Sequence, residues 1–346
     1  MRHTVVLAVL FGLTSPASSH HSDAGMDMDS VVTFEGTVTQ FNWRNPHVYF
    51  TVETTAPGGE TVEWTLQTDS TNLRTRRGWT QTTLSSGDRV VVQGNPAQDG
   101  RPYAILVSVE KEGGTPLPLT SFGDGLQAAS ALEITASTST LEGIWIADTS
   151  KLTSYPGGFD GFFISQLELT EKGRTAEAQF NALSDENPDS TCTSRPTPAG
   201  LVSSGFYPIG IEFNEAEEII VIRSELFDEE RTVYMDGRGH PQNGARANQG
   251  HSIGSWEGDI LVVDTRNFAD NRSPYQTGVP SGGQKHVVER YQLTEDGTRI
   301  IATFLLEDPE YIAEPLTHTR ELIYSPHMEM RPFNCDPEAT RRFVPQ

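Results

Sequence analysis

Cysteine is nearly absent: Cys192 and Cys335 are the only two in 346 residues. That rules out paired CxxC zinc sites and a disulfide-dense scaffold. In an exported protein the two suit one disulfide, and their distance apart in sequence equally suits two buried thiols. Basic residues are also short, with 25 Lys plus Arg against 47 Asp plus Glu and a formal net charge of −22. Such a surface repels nucleic acid and anionic membranes, so no nucleic-acid partner is expected. Long apolar runs are missing too. The stretch from Val5 to Leu13 is too short to span a bilayer and nothing later is longer, so no transmembrane anchor is expected. No phosphate-cradling glycine loop, dinucleotide fingerprint or HExxH is present, and no organic cofactor is indicated.

What is present begins with Arg2, the apolar run, and then Pro16-Ala17-Ser18-Ser19. This pattern predicts a cleavable secretory signal over residues 1–19, with His20 as the first mature residue and a periplasmic or secreted destination. The polar segment after it has no periodicity and is expected to be an extended or mobile arm. The His20 amine and imidazole, with His21 or His47, offer nitrogen ligands for copper, and Met26 and Met28 add soft thioethers. His327-Met328-Glu329-Met330 repeats that chemistry near the C-terminus.

From Val31 the pattern changes to short β-runs: VVTFEGTVTQFNW, HVYFTVETT, TVEWTLQT, DRVVVQGNP and AILVSVEKE. Gly, Pro and Asp turns separate them, and Thr71 to Leu84 reads as a short helix or crossover. Five strands and one crossover predict an OB-like small barrel over residues 20–112. Trp43, Trp64 and Trp79 are then core or stacking residues, and Arg74, Arg76 and Arg77 form the only compact basic group, suited to an anionic ligand or to the acidic second domain. The motifs His20-His21-Ser22, Asn42-Trp43, Asn45-Pro46-His47, Arg77-Gly78-Trp79-Thr80, Gly87-Asp88 and Gly94-Asn95-Pro96 resemble a family of small exported bacterial domains of unknown function. The resemblance implies homology without an activity.

Residues 113–140 are rich in Gly, Pro, Ser, Thr and Ala and read as a linker. The second domain, 141–346, opens with LEGIWIADT, whose Gly143-Ile144-Trp145 resembles the Gly-x-Trp of lipocalin-like barrels. It continues as FFISQLEL, GIEFNE, EEIIVIRSEL, RTVYMD, DILVVDT, HVVERYQL, RIIATFLLED and THTRELIY, with Lys172 to Leu183 as a possible helix. The fold expected is all-β, an OB-like barrel followed by a larger antiparallel, lipocalin-like β-barrel or meander. Tyr234-Met235-Asp236-Gly237, His240-Pro241, Gly250-His251-Ser252-Ile253-Gly254, Trp256-Glu257-Gly258-Asp259 and His286-Val287-Val288-Glu289-Arg290 resemble a widespread set of exported bacterial proteins with no substrate attached to them.

Gly250-His251-Ser252-Ile253-Gly254 matches the nucleophile elbow of serine hydrolases, with Asp264 and His286 following in the right order. A turn and a strand follow it, where the elbow needs a helix, so a glycine-bounded strand is the preferred reading and Ser252 the control. Along HVVERYQL, period two sets His286 and Arg290 on one face and Glu289 on the other, so His286 and Glu289 cannot both face inward without a bulge. The expectation is a small, largely apolar ligand enclosed by the second barrel. His251 or His286 would serve as acid/base, with Asp264 or Glu289 as partner, and Trp256, Arg290 and Arg320 would help to hold the ligand. Elimination, isomerisation or hydrolysis without a cofactor is the chemistry such groups suit. The alternatives are a copper-binding module acting through the His20 arm, a serine hydrolase acting through Ser252, and a structural role in the envelope. No oligomeric state is indicated.

Overall fold

The structure, a computed structural model, describes residues 25–55, 58–117, 134, 136–151, 162, 165–181, 184, 187–270, 272 and 278–340. The expected signal over 1–19 and the ligands His20 and His21 lie outside these residues, as does most of the expected linker. The described linker ends are packed: Leu117 lies against the first core, and the Thr138 amide donates to Gly297 O at 2.9 Å.

The first unit is a closed five-stranded barrel of β1 (Val32–Asn42), β2 (Tyr49–Thr55), β3 (Thr61–Gln67), β4 (Arg89–Pro96) and β5 (Tyr103–Lys111), hydrogen-bonded in the order β1-β2-β3-β5-β4. Between β3 and β4, α1 (Thr71–Arg76) starts where Ser70 Oγ accepts from Leu73 N, satisfying an amide that has no partner inside the helix. The barrel is the OB-like one expected. Val38, Phe50, Val52, Leu66, Val92 and Val109 fill it, with Trp79 buried and Trp64 stacked on Phe34 at 4.8 Å. The expected arm is packed from its described start, because Met26 is buried against Tyr49 and Tyr103 and bridges to Ala97. Its thioether is therefore withdrawn from the surface, whereas that of Met28 is exposed.

The second unit is a closed barrel of nine strands: β6 (Gly143–Ala147), β7 (Ile209–Asn214), β8 (Ile219–Ser224), β9 (Glu229–Tyr234), β10 (His251–Glu257), β11 (Ile260–Arg266), β12 (His286–Leu293), β13 (Arg299–Glu307) and β14 (Leu316–Tyr324). Alternation sets the walls. On β13, Ile300, Ala302, Phe304 and Leu306 are buried while their neighbours are half-exposed, as a period of two requires. Neither barrel is wholly antiparallel. A closed ring with an odd number of strands cannot alternate direction all the way round, so one pair must be parallel. That pair is β3 with β5 in the first barrel and β9 with β10 in the second.

Two segments depart from expectation. Phe162, Ser165 and Gln166, expected in a strand, have helical backbone, and Leu169 makes only an isolated bridge to Ile312. The Phe162 ring instead packs edge-on to His318 at 4.4 Å and beneath the Arg320 guanidinium at 5.2 Å. A short apolar run has no periodicity to separate a strand from a buried helical turn. The helix expected from Lys172 appears as α2 (Glu171–Gln179), capped by Thr170 Oγ1. A further helix, α3 (Ala199–Ser203), is buried at all five positions.

The barrels are joined by polar contacts. Asn45 Oδ1 accepts from Thr71 N at 2.7 Å, and its Nδ2 donates to Asn72 Oδ1 at 3.0 Å and to Phe333 O. Tyr207 OH meets Ser70 Oγ at 2.9 Å, and Arg76 pairs with Glu225. Of the three basic residues, Arg76 thus grips the acidic second domain, while Arg74 is buried against Asp69 within the first. Cys192 and Cys335 form a disulfide beside this interface.

Candidate functional site

Ser252 on β10, Val263 and Thr265 on β11, and Val287, Glu289 and Tyr291 on β12 are buried. Period two then turns His251, Asp264 and His286 to the outer wall. Register aligns them: His251 lies opposite Arg266, Asp264 lies between Ile253 and Val288, and His286 lies opposite Glu307 on β13. The imidazoles expected inside the barrel are outside it, because the strand phase is set by the larger apolar set of Leu261, Val263 and Val287.

The parallel pair supplies one more residue. Parallel neighbours need a crossover of a dozen or more residues, and residues 235–250 make it between β9 and β10. The crossover reaches the outer wall and delivers His240. The sequence marks this histidine only as part of the His240-Pro241 resemblance, without a role, since its place in the site follows from the closing strand pair.

Together these side chains form a continuous line. His251 Nδ1 is 3.0 Å from His240 Nδ1, and His240 Nε2 is 2.9 Å from Asp264 Oδ1. Asp264 Oδ2 is 2.9 Å from His286 Nε2, and His286 Nδ1 is 3.1 Å from Glu307 Oε2. Arg266 adds its Nη2 at 3.2 Å from His286 Nδ1. Tyr234 stacks on His251 at 5.2 Å, and Arg238 covers Tyr234 at 4.0 Å. Burial, helped by His240 and Arg238, lowers the His251 pKa. At Asp264 burial opposes the anion, but hydrogen bonds from His286 and His240 and the charge of Arg266 outweigh it, and its carboxyl titrates below the ordinary range. One carboxylate thus holds two imidazoles by opposite oxygens, which fixes their orientation. His286 can donate to both Asp264 and Glu307 only when both ring nitrogens carry protons.

A cleft of about 530 Å³ opens beside His286, lined by the charged residues Arg266, Lys285, Glu307 and Asp308 and by the apolar Pro309, Ile312 and Pro315. Polar and apolar side chains both line it, and it adjoins the line of imidazoles at His286.

The other candidates lie elsewhere. Glu289 is on the inner face, where Arg231 Nη2 donates to its Oε1 at 2.8 Å and Tyr291 OH to the same oxygen at 2.8 Å. Its job is to balance a buried guanidinium, and the strand wall separates it from the imidazoles. Ser252 also points inward, with Oγ 2.9 Å from Thr265 Oγ1. It has neither the histidine nor the following helix that a nucleophile elbow requires. Gly250 has φ of +74°, and a Cβ there would fall 2.7 Å from Arg266 O, so this glycine is needed for strand entry. Trp256 is exposed five residues along β10 from His251, about 16 Å away, where it meets Phe213 edge-on and lines a separate cleft. Arg290 is outward and pairs with Glu257 at 2.7 Å, and Arg320 is buried beside Phe162. His47 Nδ1 lies 3.0 Å from Thr68 O, tying the start of β2 to the end of β3. Among the described residues, no three His, Cys, Asp or Glu side chains are placed to hold one metal ion. No helix among them is long and apolar enough to cross a membrane.

The inner polar cluster gives a pH signature. Glu229 is buried, and burial raises its carboxyl from 4.5 to about 8, with Arg231 pulling the other way. The unfolded chain loses this proton near its ordinary value while the folded chain keeps it to about 8. Ionisation therefore favours unfolding, and stability falls as pH rises through that window, by on the order of 5 kcal/mol for this group. Glu229→Gln is expected to remove that slope in urea-unfolding curves taken at successive pH values. An unchanged slope would mean the carboxyl is ionised in the fold.

Comparison with known families places residues 8–105 in a match to a family of unknown function, DUF6152. The match ends within β5 and leaves the second barrel, with the histidine line, uncovered. None of the curated proteins matches the chain.

Proposed function

We propose that this is an exported protein whose second barrel binds a small ligand on its outer wall, with His286 exchanging a proton with that ligand and Asp264 and His240 holding the imidazole in place. The observation that carries this proposal is the unbroken run of contacts from His251 to Glu307, ending at the cleft. The cleft's composition suits a molecule with a short apolar flank for Pro309, Ile312 and Pro315 and an anionic end for Arg266. Acid/base chemistry without an organic cofactor is what the groups can supply. Export is supported by the Cys192–Cys335 disulfide, since such bonds persist in oxidising compartments.

Small carboxylic acids screened by thermal shift provide the test. At least one is expected to raise the Tm of the wild-type protein, and His286→Gln and Asp264→Asn are expected to lose most of that increment. Ser252→Ala, altered on the opposite face of the wall, is expected to retain it. An increment that persists in His286→Gln, or that disappears in Ser252→Ala alone, would overturn the proposal.

A further inference from the structure

Lysine is scarce in this chain: Lys111, Lys151, Lys172 and Lys285 are all there are. Lys111 pairs with Asp88 and Lys172 with Glu310, both at the surface. Lys285 differs. It is 2% exposed, adjoins His286 in the chain, and forms part of the cleft wall. Its amine lies 3.4 Å from Ser281 Oγ and 4.1 Å from the centre of the Phe268 ring, a buried position for a group usually found in water.

Asp308 stands in the same wall. It is 1% exposed, its Oδ2 accepts from Gly282 N at 2.7 Å, and its Oδ1 has no hydrogen-bond partner among the described residues. Gly282 makes this approach possible, since a Cβ there would fall 2.2 Å from that oxygen. A buried carboxyl oxygen without a donor costs free energy unless something in the cleft supplies one.

We propose that Lys285 is a covalent carbonyl-binding residue, forming an imine with a small oxo acid in the cleft while Arg266 receives its carboxylate. This deepens the proposed function and rests on its ligand site. The amine nitrogen adds to the carbonyl carbon, the C–O π pair moves to oxygen, and a proton passes from nitrogen to that oxygen to give the carbinolamine. Its hydroxyl then takes a second proton and leaves as water, as the nitrogen lone pair forms the C=N bond of the iminium. Asp308, which lines the same cleft and has Oδ1 without a donor among the described residues, would take the hydroxyl of that intermediate. No oxidant or reductant is required. Once formed, the iminium draws electrons from the neighbouring carbon, and His286 is the base at hand for the proton there. Burial lowers the Lys285 ammonium to about 7 against the pull of Asp308, so the nucleophilic amine is available near neutrality. Burial likewise raises the Asp308 carboxyl, favouring the form able to give a proton to the departing hydroxyl.

The test is reductive trapping of the full chain with glyoxylate and cyanoborohydride at neutral pH, followed by peptide mass mapping. The adduct is expected on Lys285, roughly tenfold faster than on Lys111 or Lys172 despite its burial, and Lys285→Met is expected to lose it. Labelling of Lys111 and Lys172 without Lys285 would overturn the proposal, and wild-type mapping decides this even if Lys285→Met does not fold. A thermal shift by glyoxylate separates the two levels. If glyoxylate stabilises the wild type through His286 but leaves Lys285 unlabelled, the binding site stands and the covalent step falls. If no small carboxylic acid, glyoxylate included, stabilises the protein and Lys285 stays unlabelled, both fall.

Discussion

Truncating Glu289 to alanine is expected to lower the unfolding free energy by roughly 3–5 kcal/mol, because it leaves the Arg231 guanidinium buried without its carboxylate. Arg231 and Glu289 are about 5% and 1% exposed at their side chains and stand 2.6 Å apart. Glu229 modulates the loss. Arg231 favours its ionisation and Glu289 opposes it, so removing Glu289 lets Glu229 ionise nearer neutrality and take over part of the pairing. The deficit should therefore be greatest in acid and shrink as pH rises. Glu229→Gln combined with Glu289→Ala should cost more than the two separate losses added together. Replacing the pair with apolar residues, as Arg231→Met with Glu289→Leu, should restore most of the stability. Urea unfolding between about pH 5 and 9 reads all of these. A uniform loss under 1 kcal/mol would show that the pair is solvated.

The second large effect is expected from Cys335→Ser. The bond closes a loop with a sequence separation of 143, and losing so long a constraint on the unfolded chain costs roughly 2–5 kcal/mol. Its position adds a specific consequence. Cys335 lies next to the Asn45 bridge, and Phe333 packs against Tyr207 and Phe227 where the barrels meet. Without the bond, that interface is expected to loosen before either barrel melts, so calorimetry should resolve two transitions where the oxidised protein gives one. A single transition with unchanged midpoint after reduction would refute this.

Much of the fold was legible because its signals are local. The five strands of the first barrel and most of the second announce themselves by alternation, and the faces of β12 follow from period two alone, which already separates His286 from Glu289. Direction of facing was not legible in the same way. Whether His286 or Glu289 points inward depends on which neighbours complete the core, and a buried ion pair such as Arg231–Glu289 looks in sequence like two surface charges. His240, noted only as part of a His240-Pro241 motif, was not placed in the site for a different reason: it arrives there through a crossover that only ring closure demands. Lys285 and Asp308 lie in connections, where periodicity carries no information about burial.

The disulfide also determines how the molecule would bear load. Tension applied to the chain ends would pass from Cys192 to Cys335 through the covalent bond, so everything from β7 to β14 would be shielded from force. β6 precedes Cys192 and lies outside that loop, although it sits in the ring between β14 and β7. A pull would therefore draw on the first barrel and on this one strand. The histidine line, on β10 to β13 and so wholly inside the Cys192–Cys335 loop, would keep its geometry within the unstressed part of the chain.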